Sequence, residues 1–116
     1  MLTDTAQGER LQKILQVAES GSLCTIRDLA IEFDMSPSHL QHLFKEGTGA
    51  RLGRWLAERR LQRAARLLAD SNISVKEVAY AVGYKHPSSF VRAFERHFQQ
   101  APGQFQQQML TKRRFC

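Results

Sequence analysis

Apolar residues recur along this chain at helical rather than strand spacing. In "SPSHLQHLF" (36–44), Leu40, Leu43 and Phe44 fall at i, i+3 and i+4, which is one stripe of a helix. Ser38, Gln41, His42 and Lys45 face the other way. That face is polar, yet it lacks the Glu/Lys pairing of an ordinary solvated helix. The same reading predicts helices over 8–20, 26–34, 37–47, 53–70, 75–82, 87–99 and 102–110, about seven in all, with short connections and no strand signal. The predicted fold class is all-α.

The pattern occurs twice. "TIRDLAIEF" (25–33) matches "SVKEVAYAV" (74–82), and "SPSHLQHLFK" (36–45) matches "HPSSFVRAFE" (86–95), with one residue more in the second connection. Each copy reads as helix, short turn, helix. Thr25 with Asp28, and Ser74 with Glu77, have the spacing of a capping box. Ile26, Leu29, Ala30 and Phe33, and in the second copy Val75, Val78, Ala79 and Val82, form the inner faces of the first helices. Gly83 is a helix stop that tolerates positive φ. Pro37 and Pro87 stand where each second helix begins, after a good N-cap in Ser36 and a poor one in His86. The division expected is an N-terminal lobe over 1–52, a linker helix over 53–70, a C-terminal lobe over 71–110 and a loose basic tail over 111–116. A helix of that linker's length spans about 27 Å, against the ~34 Å between major-groove faces one turn of DNA apart. It would set two readers about one turn apart, with Leu52, Trp55, Leu56, Leu61, Leu67 and Leu68 packed into the lobes.

Charge sharpens the picture. The chain has 116 residues, net charge +6 and pI near 9.9. Residues 1–34 hold three Lys/Arg against six Asp/Glu, and residues 35–116 hold fourteen against five. A basic side on a small protein is an electrostatic footprint for nucleic acid, although charge for solubility fits it too. No apolar run reaches transmembrane length, and the N-terminus lacks a signal-peptide pattern, so the cytoplasm is the expected location. Cys24 and Cys116 do not make a disulfide framework or a zinc site. His39 and His42 lie at i, i+3 with no carboxylate or cysteine to complete a metal set, and His39 reads as structural. There is no nucleophilic triad and no glycine-rich phosphate loop. The expectation is therefore a non-enzyme without cofactor or metal.

Helix, tight turn and polar second helix make a helix-turn-helix, whose second helix enters the major groove. The residues expected to face bases are Ser38, Gln41 and His42 in the first copy and Ser88, Ser89, Val91 and Arg92 in the second. Gln41 can pair with adenine N6/N7, Arg92 with guanine O6/N7, and Val91 can lie on a thymine methyl. His42 can donate to an acceptor or touch phosphate. Lys45, Lys85, Arg96 and Arg54 are expected on phosphates, fixing position without reading sequence. The remaining arginines, 59, 60, 63 and 66, are read as solvated or ion-paired, for instance with Glu58. Any one of these residues alone is an ordinary exposed polar side chain; the repeat turns Gln41 and Arg92 into candidate readers.

The run "ISVKEVAYAVGYKHPSSFVRAFERHFQQAPGQF", together with "SPSHLQHLFKEGTG", resembles the signature of the AraC/XylS family over about residues 9–106. The resemblance implies a bacterial transcription regulator with two helix-turn-helix lobes in adjacent major grooves, and leans towards activation. Carried over by position, it places Ser38, Gln41, His42, Ser88, Ser89 and Arg92 on bases, and gives phosphate the backbone at Pro102 and Gly103, a helix start. Two residues depart from the family pattern: Gln99 stands for the usual glycine and Gln106 for the usual arginine. About eight residues precede the first predicted helix, which fits either a stand-alone regulator or a domain of a longer one. The expected partners are double-stranded DNA, bound by a monomer at an asymmetric site, and RNA polymerase, towards which the acidic first 34 residues could turn; no membrane is expected. The alternative is a helix-turn-helix protein-interaction module that does not read DNA sequence.

Overall fold

The computed structural model describes residues 2–20 and 25–115, with side chains for 8–20 and 25–112; Cys24 and Cys116 lie outside the described residues. Seven helices follow one another: α1 (Leu2–Ser20), α2 (Ile26–Glu32), α3 (Pro37–Thr48), α4 (Leu52–Asp70), α5 (Val75–Ala81), α6 (Pro87–Phe98) and α7 (Pro102–Phe115). Two of them run further than periodicity predicts. α1 begins six residues before position 8, since no proline intervenes and Gly8 is tolerated inside a helix. α7 continues to Phe115, so most of the segment expected to be a loose tail is helical. Residues 104–114 are mostly Gln, Met, Leu, Lys and Arg, all good helix formers, and no Gly or Pro interrupts them.

The chain divides into two compact units, Met1–Arg59 and Arg60–Cys116, and the boundary falls inside α4. In the first unit α2 and α1 pack on α3. Its core holds Ile14, Ala18, Leu29, Ala30, Leu40, Leu43, Phe44, Leu52 and Leu56, with Trp55 against it. In the second unit α5 and α7 pack on α6. That core holds Leu61, Ala64, Leu68, Val78, Ala79, Val82, Phe90 and Phe94, with Tyr84, Phe98 and Phe105 against it.

The two helix-turn-helix turns are built alike. The Thr25 hydroxyl accepts from the Asp28 N–H at 3.0 Å, and the Ser74 hydroxyl from the Glu77 N–H at 3.1 Å. At the other end, Met35 N–H donates to Ala30 O and Asp34 N–H to Ile31 O; Tyr84 N–H donates to Ala79 O and Gly83 N–H to Tyr80 O. Both are Schellman turns, and they need a positive φ at the residue after the cap. Gly83 takes φ 103° and Asp34 takes φ 52°. Aspartate is among the few side chains that visit this region readily. Ser36 caps α3 through the His39 N–H at 3.1 Å, whereas His86 makes no side-chain cap bond to α6. The His39 side chain itself is exposed.

The repeat also extends beyond the matched sequence segments. At the same spacing of 50, α4 begins like α7: Leu52 stands with Pro102, Gly53 with Gly103 and Trp55 with Phe105. The ring pairs correspond as well, Phe44–Trp55 and Phe94–Phe105 each having centroids 5.5 Å apart.

Candidate nucleic-acid interface

In the first unit, Pro37 at the first turn and the Ser36 cap start α3, and its apolar stripe turns inward. That leaves Ser38, Gln41, His42 and Lys45 exposed on the outer face. The connection to α4 is held by Thr48, whose hydroxyl donates to Phe44 O at 2.8 Å and accepts from the Ala50 N–H at 3.1 Å. Gly49 takes φ 79° there. The turn brings the start of α4 beside the outer face of α3. The result is an open groove of about 1200 Å³ lined by Ser38, Gln41, His42, Lys45, Arg51 and Arg54. The N-terminus of α4 adds its positive dipole end to that groove. Arg51 is a groove residue that periodicity passes over; its signal is a basic residue two positions before the helix start predicted at 53.

Two acids lie at this surface. His42 Nε2 is 3.0 Å from Glu46 Oε1, and Arg54 Nε is 3.5 Å from Glu58 Oε1, each pair one helical turn apart. Arg54, expected on phosphate, is thus itself a partner of Glu58. Arg59 is 3.8 Å from Glu19 and lies over the Trp55 ring at 4.7 Å. Trp55 is part of the first core.

In the second unit, Ser88, Ser89, Arg92 and Arg96 are exposed on α6, and Lys85 is exposed just before it. Ser88, Arg92 and Arg96 recur every four residues and so share a face. Val91 is half-buried against the second core, which takes up part of its side chain. Pro102 is fully buried and has no N–H, so of the two residues expected to offer backbone donors only Gly103 has one. Gln99 adopts φ 56° and ψ 33° at the end of α6, matching Gly49 at the end of α3, so the turn survives without a glycine. Gln106 points inward: its amide donates to Ile73 O at 2.7 Å and Ser71 O at 3.2 Å, fastening α7 to the α4–α5 connection. Among the described residues, no group of three or more His, Cys, Asp or Glu side chains could hold a metal ion.

A family model described as a helix-turn-helix domain matches residues 29–108. The chain belongs to the AraC-type helix-turn-helix family. Over 82 residues it is 33% identical to the probable transcription factor PqrA of Proteus vulgaris, covering 71% of this chain and 67% of PqrA. Over 69 residues it is 45% identical to the transcriptional regulator GlxA of Rhizobium meliloti, covering 60% of this chain but 21% of GlxA. The chain thus spans about a fifth of GlxA. Among solved structures it is similar to the DNA-binding domain of AdpA, a global transcriptional factor, in complex with a target DNA (27% identity, TM-score 0.77, 89% of this chain and 95% of that one). By their names, PqrA is a probable transcription factor and GlxA a transcriptional regulator. No helix among the described residues is long and apolar enough to cross a membrane.

Proposed function

We propose that this protein is a transcription regulator that reads double-stranded DNA with α3 and α6, each in the major groove. One observation carries the reading. Two copies of one helix-turn-helix expose the same face, and the residues on it differ, Gln41 and His42 against Arg92. Gln41, Arg92, Ser38, Ser88 and Ser89 contact bases, with His42 beside Gln41. Lys45, Arg51, Arg54, Lys85, Arg96 and the Gly103 N–H hold phosphates. Because the two faces differ, the site is asymmetric and one molecule binds it, in the cytoplasm at the nucleoid. The regulatory effect is activation, with the acidic surface that includes Asp28, Glu32 and Asp34 turned to polymerase; it is tested by transcription in vitro with and without the protein.

The deciding experiment is selection of bound duplexes from a random pool, repeated with Gln41→Ala and Arg92→Ala. Each variant should lose preference at its own base position by about 1–3 kcal/mol. If the unmodified protein enriches no sequence, the DNA-reading proposal fails and the interaction-module alternative takes its place.

A further inference from the structure

We propose that Glu46 and Glu58 are specificity-determining residues of the first unit, restraining two of its interface side chains, His42 and Arg54, so that it adds little to binding of random DNA. The inference rests on the duplex-DNA reading above. Its starting point is a charge imbalance between the units. Met1–Arg59 carries seven Lys/Arg against eight Asp/Glu, net −1, whereas Arg60–Cys116 carries ten against three, net +7. Non-specific affinity for duplex is almost wholly electrostatic. The second unit therefore supplies most of it, and the first must be tied down by what it reads.

The ion pairs show how the restraint is applied. His42 is held by Glu46 and Arg54 by Glu58, and these are two of the residues lining the groove. Glu58 lines the groove as well. The repeat provides an internal control. Fifty residues on, Glu46 is replaced by Arg96 and Glu58 by Gln108, while the exposed acid of α6, Glu95, stands instead at the place of Lys45. A carboxylate near the phosphate path repels it and competes for the guanidinium of Arg54. It also occupies one nitrogen of His42, leaving the other to face a base. All four side chains are more than two-fifths exposed, so the pairs add little to folding and their purpose is sought at the surface.

The test uses the whole chain, with Glu46→Gln, Glu58→Gln and the double variant, titrated with a random-sequence duplex and with a duplex from the selection. The double variant should bind random duplex about five-fold more tightly at moderate salt, with a smaller gain on the selected duplex, so the ratio of the two affinities falls. On the random duplex, Glu58→Gln should also steepen the salt dependence by about one unit, because Arg54 then holds there the phosphate that it reaches in the unmodified protein only on the selected duplex. Glu46→Gln should relax base preference at the positions next to the Gln41 contact. Melting temperatures should stay at the wild-type value, which separates this from a structural role. An unchanged affinity ratio in the double variant overturns the proposal. If the wild-type protein binds neither duplex, the DNA reading itself fails, which is a different result.

Discussion

At the scale of single residues, Gln99 stands out as a side chain in a glycine's conformation. It ends α6 at φ 56°, where its counterpart Gly49 ends α3 at φ 79°. A left-handed residue with a Cβ costs roughly 1–2 kcal/mol. Replacing Gln99 by Gly should therefore raise stability by about 1 kcal/mol, read as a higher midpoint in urea, while Gly49→Ala should lower it by a similar amount. The caps give a second contrast. Ser36 closes the start of α3 and His86 leaves α6 without a side-chain cap. His86→Ser should add about 1 kcal/mol with no loss elsewhere, because His86 is exposed. These features could be found in the sequence because each depends on residues within one turn. Gln106 shows the opposite case. Its acceptors lie 33 and 35 residues away, at Ile73 and Ser71, and no local pattern announces them. The sequence marked Gln106 only as a departure from a family arginine.

At the scale of elements, each unit is a pair of helices closed by a third, with α1 packing on α3 in one, where Leu52 and Leu56 of α4 join the core, and α7 packing on α6 in the other. Gln106 is the polar part of that closure in the second unit. Gln106→Leu removes two hydrogen bonds and leaves two carbonyls to find other donors. We expect a loss of about 1–2 kcal/mol and faster amide exchange in α7 than in α6. The repeat over 25–45 was legible because hydroxyl, small and apolar positions keep their order. Its continuation into α4 and α7 was not, because Leu52 with Pro102 and Trp55 with Phe105 match in size and place rather than in identity. The groove was also out of reach of periodicity. Helical spacing showed which residues share a face of α3, but it is the Thr48–Gly49 turn that sets Arg51 and Arg54 beside that face. The acids in it follow from i, i+4 arithmetic, yet spacing alone did not say which arginine Glu58 would choose.

At the scale of the whole molecule, each unit has its own apolar cluster, and α4 contributes to both: Leu52 and Leu56 to one, Leu61, Ala64 and Leu68 to the other. The second cluster is centred on aromatic rings, with Phe94 4.5 Å from Phe98 and 5.5 Å from Phe105 between centroids. Phe94→Ala should cost about 3–5 kcal/mol. Hydrogen exchange should locate the loss in α5, α6 and α7, with amides of α2 and α3 keeping most of their protection. Equal loss in both units would mean that they unfold as one. The paired Schellman turns carry a wider consequence. Positions 34 and 83 accept few residues, because the backbone there is left-handed, and Ala30 and Ala79 are sealed in the cores. Ser38, Gln41, Ser88 and Arg92 lie outside both clusters. The scaffold therefore drifts slowly while its outer faces are free to change, one at a time. If α3 and α6 read DNA as proposed, a gene carrying this design can acquire a new operator in two separate steps, with one half of the old site still recognised in between.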